Sequence, residues 1–160
     1  MIEQDQRILI GLKKADATLL GHHLNVLLAT YSVFYTNLRG YHWNIQGQEF
    51  FDLHGKFEEL YEDIAGKIDE IAERVCTLES QPVHSLSQYV YLSAINEHTG
   101  VKDGIEAATG LLSGLVALVE LQRPLLKWAQ DLGDEGTSSI LSDYIREQEK
   151  LIWQYQAYLA

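Results

Sequence analysis

Apolar positions recur every three or four residues through most of this chain, in long stretches separated by short polar or Gly-containing breaks. Over residues 15–44 the series Leu20, Leu24, Leu27, Tyr31, Phe34 and Leu38 ends on His42, and its spacing puts all seven side chains on one helical stripe. Gly47 suits a left-handed termination just beyond it. A second helix is predicted over 50–78, with Leu53, Phe57, Leu60, Ile64, Ile68, Ile71 and Val75 facing the core. After Gln81-Pro82, residues 86–92 have room for one or two helical turns. The pattern predicts a third helix over 101–132, weakened by Gly104, Gly110 and Gly114 and kinked or broken at Pro124. Gly133-Asp134-Glu135-Gly136-Thr137 reads as a turn with Thr137 or Asp134 as cap. A last helix follows over 138–158, carrying Ile140, Leu141, Tyr144, Ile145, Leu151, Ile152 and Tyr155. These elements make an all-α four-helix bundle whose second and third helices are joined by a long crossover with a short extra helix in it.

Composition narrows the setting. A chain of 160 residues is expected to form one domain that buries about 70% of its unfolded surface. Residues 1–15 read as a mixed-charge tail and 16–160 as the bundle. The formal charge of −11, from 23 acidic and 12 basic side chains, disfavours a nucleic-acid surface and suits the handling of cations. The single cysteine, Cys76, has no internal disulfide partner, which favours a reducing compartment. The first residues lack the apolar run of a secretory signal, and the longest apolar tract, 110–119, is too short to span a bilayer. A cytoplasmic protein without a membrane partner is expected.

The candidate chemistry lies on the second helix and the end of the first. His54 with Glu58, and Asp69 with Glu73, are spaced i, i+4, so each pair can address one point. All four fall on a flank about 60–160° round from the core stripe at 100° per residue. A solvated acidic face that happens to hold one histidine fits the same spacing. His42 shifts the balance, because it takes a stripe position where another leucine is expected. Its own bland reading is a hydrogen-bonded core histidine. Imidazole nitrogen with carboxylate oxygen suits Fe, Zn, Co or Mn without choosing among them. His54 and Asp69 would stand roughly 22 Å apart on one straight helix, whereas a metal–ligand bond spans only about 2.0–2.3 Å. The two halves can therefore meet only when a second copy of the helix runs antiparallel to the first. No Glu is followed three residues later by His, so a di-iron centre closed inside one bundle is disfavoured. His22, His23, His84 and His98 lack comparable acidic partners and read as surface residues. The nine tyrosines are first of all packing residues, and a redox role for Trp43 and Trp153 is an open alternative.

Tyr41-His42-Trp43-Asn44-Ile45-Gln46-Gly47, Phe51-Asp52-Leu53-His54-Gly55-Lys56-Phe57-Glu58-Glu59-Leu60-Tyr61 and Asp69-Glu70-Ile71-Ala72-Glu73-Arg74 closely resemble the Dps family of mini-ferritins. The likeness extends over about residues 16–160. It implies the ferritin-like fold and a shell of twelve identical subunits with a ferroxidase centre at each two-fold interface. There His42, His54 and Glu58 of one subunit would meet Asp69 and Glu73 of its mate. Glu58 stands where some relatives have Asp. The resemblance implies binding of Fe(II), up to two irons per site, with zinc as a substitute. Oxidation, preferably by hydrogen peroxide, and storage as ferric oxide would follow, in protection against oxidative stress. Asp134 and Glu135 fall near the segment that lines the family's three-fold iron-uptake pores. DNA-binding relatives use a Lys/Arg-rich tail. Here Arg7, Lys13 and Lys14 are set against Glu3 and Asp5, so direct DNA binding is disfavoured. A nucleoid-compacting protein of the same fold is the non-enzymatic alternative.

Overall fold

The computed structural model describes residues 6–160. The first five, including Glu3 and Asp5 of the mixed-charge tail, lie outside the described residues. Five helices follow in order: α1 (Lys14–Asn44), α2 (Phe50–Thr77), α3 (Leu86–Leu92), α4 (Gly104–Asp131) and α5 (Glu135–Leu159). The four long ones form the bundle, with α1 packed chiefly on α2 and α4 chiefly on α5. The predicted all-α bundle with a short helix in its crossover is what is found.

Every member of the α1 stripe from Leu20 to His42 is buried, and Phe57, Ile64, Ile71 and Val75 of α2 close over it. Residues 6–13 add to this core through Ile8, which is buried among the bundle side chains. At the centre sits a closed ring of hydrogen bonds. Tyr31 donates to Gln122 Oε1 (2.6 Å), Gln122 donates to Gln148 Oε1 (2.7 Å), and Gln148 donates back to the Tyr31 hydroxyl (2.6 Å). The ring joins α1, α4 and α5 while leaving no donor orphaned, the condition under which polar groups are tolerated in a core.

Two helix starts, and the course of α4 at Pro124, differ from the sequence-based expectation. The fourth helix starts at Gly104 rather than 101 because Asp103 caps it, accepting from the Glu106 amide at 2.8 Å. It runs unbroken through Pro124, since that residue and Glu120, whose carbonyl loses its amide partner, are both exposed to water. The last helix starts at Glu135, three residues early, because Asp134 is the cap. α4 includes an 18-residue window of mean hydropathy 1.5, long and apolar enough to cross a membrane by composition. Its Ala107, Leu111, Leu115, Leu118 and Leu125 are instead buried in the bundle, as befits a core helix.

The α1–α2 turn positions the candidate site. Gly47 holds φ +111° there, a conformation that favours glycine. The Gln46 amide donates to the Lys102 carbonyl at 2.8 Å, tying the turn to the start of α4. The chain thus doubles back in five residues and brings the last turn of α1 beside the first turns of α2.

Candidate metal centre

His42 and His54 meet across that hairpin. Their rings stack with centroids 3.7 Å apart and planes 13° from parallel. The Nδ1 of His42 bonds the backbone carbonyl of His54 at 2.7 Å, and the Nδ1 of His54 bonds the carbonyl of His42 at 2.8 Å. A carbonyl oxygen only accepts, so both Nδ1 atoms carry the proton and donate. This geometry selects the Nδ1–H tautomer of each ring and leaves both Nε2 atoms as candidate metal donors. His42 is thus the hydrogen-bonded buried histidine of the bland reading, and the same bond leaves its Nε2 as a candidate ligand atom.

The pair is held in an aromatic stack. Phe50 lies nearly parallel to His54, with centroids 4.9 Å apart, and the Tyr61 ring meets His42 edge-on at 5.2 Å. Tyr61 in turn contacts Tyr35 at 5.9 Å. The phenol of Tyr61 is raised from its ordinary value by loss of water and by the neighbouring carboxylates Glu58 and Glu62. Phe50 is four residues before His54, on the same face of α2, a signal that spacing alone could have supplied. The contact of Tyr61 with His42 spans two helices and carried no such signal.

The remaining predicted residues lie apart from the histidines. Glu58, one turn beyond His54, is exposed, as are Asp69 and Glu73 farther along α2. Among the described residues no three His, Cys, Asp or Glu side chains gather into a metal site within the chain. His42 ends α1 and His54 begins α2, and the carboxylates Asp69 and Glu73 stand farther along α2 without meeting them.

Asp134 is accounted for by the fold. It is buried, accepts from Arg74 at 2.6 Å and from the Thr137 amide at 3.0 Å, and takes the Thr137 hydroxyl on its other oxygen at 2.5 Å. Its side chain is therefore occupied inside the subunit, whereas Glu135 is exposed. His22, His23 and His84 are exposed as expected. His98 is not a plain surface residue. It is half-buried, its Nδ1 is 2.6 Å from the Tyr41 hydroxyl, and its Nε2 is 3.6 Å from Glu106. Trp43 and Trp153 are both exposed, and Arg39 lies 4.4 Å over the Trp43 ring.

The fold and this geometry define a class that comparison with known proteins also finds. Residues 21–160 match the ferritin-like domain family. The crystal structure of a Dps protein from Vibrio cholerae O1 superposes with a TM-score of 0.94 at 54% identity, covering 96% of each chain. That protein is described as a member of a broad superfamily of ferritin-like diiron-carboxylate proteins. A Dps protein from Bacillus brevis superposes with a TM-score of 0.88 at 33% identity, over 91% of this chain and 98% of that one. A DNA protection during starvation protein from Porphyromonas gingivalis is 36% identical over 92% of this chain and 93% of its own. An uncharacterised protein of Haemophilus influenzae is 51% identical over 92% of each. The chain belongs to the ferritin-like family, in its Dps branch.

Proposed function

We propose that this protein is an iron-oxidising, iron-storing mini-ferritin whose ferroxidase centres lie between subunits. His42, His54 and Glu58 of one copy bind Fe(II) together with Asp69 and Glu73 of the partner subunit, and twelve copies close a shell in which ferric oxide is stored. The observation that carries the reading is the locked histidine pair: two Nε2 atoms are prepared for a metal, and among the described residues no acid of the same chain completes the set. Neutral imidazole with carboxylates suits Fe(II), with Zn(II) as an alternative occupant of the same donors.

The chemistry follows from pairing. Two Fe(II) ions held together each give one electron to hydrogen peroxide, which leaves as two hydroxide ions, so no hydroxyl radical is released. Carboxylates from the partner subunit offset the growing positive charge as iron becomes ferric. The histidines need no rearrangement, because their rings are already fixed by carbonyls and by Phe50 and Tyr61. The reaction consumes peroxide together with the Fe(II) that would turn it into radicals, a protective role that we assign to the cytoplasm.

Replacing His42 and His54 together by Ala should leave the shell assembled and abolish fast peroxide-dependent Fe(II) oxidation, followed by stopped-flow absorbance. Unchanged oxidation in an assembled variant would refute the site. Several relatives are named for DNA protection, and a shell that coats DNA would achieve that by contact. The charge of −11 per chain opposes it, since phosphate binding draws on clustered cations. A gel-shift assay at physiological salt should show unretarded DNA.

A further inference from the structure

His98, in the crossover before α4, is held from three directions. Its backbone amide donates to Asn37 Oδ1 at 2.9 Å, and Asn37 Nδ2 donates to the Asn96 carbonyl at 2.9 Å, so this stretch is pinned to α1. Its Nδ1 lies 2.6 Å from the Tyr41 hydroxyl, and the two rings meet edge-on with centroids 5.5 Å apart. α4 leaves room for the pair. A Cβ on Gly110 would come within 2.4 Å of the Tyr41 oxygen and 2.7 Å of His98 Nδ1. The other ring nitrogen, Nε2, lies 3.6 Å from a carboxylate oxygen of Glu106, in the first turn of α4. The arrangement therefore presents one imidazole nitrogen and one carboxylate side by side, with the imidazole oriented from behind by a hydroxyl.

We propose that His98 and Glu106 form a second divalent-cation site, separate from the inter-subunit centre and drawn from one chain. It takes Zn(II) or a similar ion that accepts nitrogen and oxygen donors. Two donors on one tetrahedral ion stand about 3.4 Å apart, given bonds of roughly 2.1 Å. The 3.6 Å between Nε2 and the Glu106 oxygen thus needs only a small closure. Binding through Nε2 requires the proton to sit on Nδ1, and the Tyr41 hydroxyl is placed to accept it. Such outer support fixes the tautomer and ring plane of a histidine ligand. Among the described residues no third His, Cys, Asp or Glu joins the pair as a metal cluster. Water therefore fills the other positions, and the pair faces a groove of about 610 Å³ with Thr109 and Ser113 in its wall. The bound ion is exchangeable. While present it ties the crossover to α4 and, through Tyr41, to the last turn of α1.

The test uses the full chain carrying His42→Ala/His54→Ala, which removes the histidines of the proposed ferroxidase centre, titrated calorimetrically with Zn(II) at neutral pH. This protein should bind zinc, and zinc should raise its Tm. Adding Glu106→Gln, at an exposed position, should weaken the binding by about tenfold or more and abolish the shift in Tm. Adding Tyr41→Phe should weaken it by about tenfold, the scale of losing an outer hydrogen bond to a metal-bound histidine. In a crystal soaked with Zn(II), anomalous scattering at the zinc edge should place the ion between His98 Nε2 and the Glu106 carboxylate. Zinc affinity unchanged by Glu106→Gln, or no anomalous peak beside His98, overturns the proposal and leaves the two residues as a plain ion pair. Neither result bears on the ferroxidase centre, whose histidines are absent from the protein tested.

Discussion

Asp134 uses two oxygens for three partners, and it shows what one residue can and cannot disclose in sequence. The cap was half legible, because Asp134 and Thr137 are both residue types that start helices and spacing did not choose between them. The ion pair was not, because Arg74 lies sixty residues away and reaches Asp134 only past Gly136, where a Cβ would come within 2.7 Å of the guanidinium. Asp134→Ala removes the cap and leaves Arg74 without its carboxylate. It should cost about 3 kcal/mol, the scale of breaking a buried pair, and be read as a lower Tm at matched protein concentration. Tyr41 gives a second residue-scale test. Burial, then the charge of Glu106, pushes its phenol up from 10.0 to about 12. A group whose folded pKa is raised contributes stability that is complete below the unfolded value and is lost as pH rises through the folded one. Stability should therefore fall between pH 10 and about 12, and Tyr41→Phe should flatten that fall in denaturant titrations across the range.

At the scale of elements, the glycines of α4 were read from sequence as weak points, and the structure gives them a different meaning. A Cβ on Gly104 would lie 2.6 Å from Leu53, and one on Gly114 would collide with the ring of Phe34. They are the places where α4 comes close to α1 and α2, so their lower helix propensity is accepted for close packing. Periodicity reveals which face of a helix is apolar, but not how near the neighbouring helix comes. Gly114→Ala gains helix propensity yet overpacks a ring that is 2% exposed, and should destabilise by about 1–3 kcal/mol. Gly66→Ala, on α2 with nothing within 4 Å of the added carbon, should stabilise by about 0.5–1 kcal/mol. Thermal melts of the two variants should move in opposite directions. The buried Lys67 also escaped the sequence reading. It lies in an apparently polar stretch of α2, but bonds Asp63 and Glu147 at 2.7 Å and packs over Tyr144, so its charge is neutralised between two helices.

For the whole molecule, the argument turns on what one copy leaves unfinished. Phe51 is 84% exposed, Leu86 82%, Tyr91 86%, and α3 buries none of its residues. Such apolar exposure is what a partner surface would cover, and Phe51 adjoins Phe50, which stacks on His54. The sequence could place His54 and Asp69 too far apart on one helix to share an ion, because rise per residue is a fixed quantity. It could not show that His42 and His54 lock each other's rings, because that depends on the turn at Gly47 and on backbone carbonyls, which have no signature in residue type. An antiparallel pairing makes each interface carry two equivalent centres, each drawing histidines from one copy and acids from the other. Two inactive variants should then complement. In a mixed interface between His42→Ala/His54→Ala and Asp69→Ala/Glu73→Ala subunits, one centre receives both intact halves and the other receives neither. Co-assembly of the two variants, by co-expression or by dissociation and mixing, should restore fast Fe(II) oxidation that neither shows alone. A centre built within a single chain would have been destroyed in both variants, and mixing them would restore nothing.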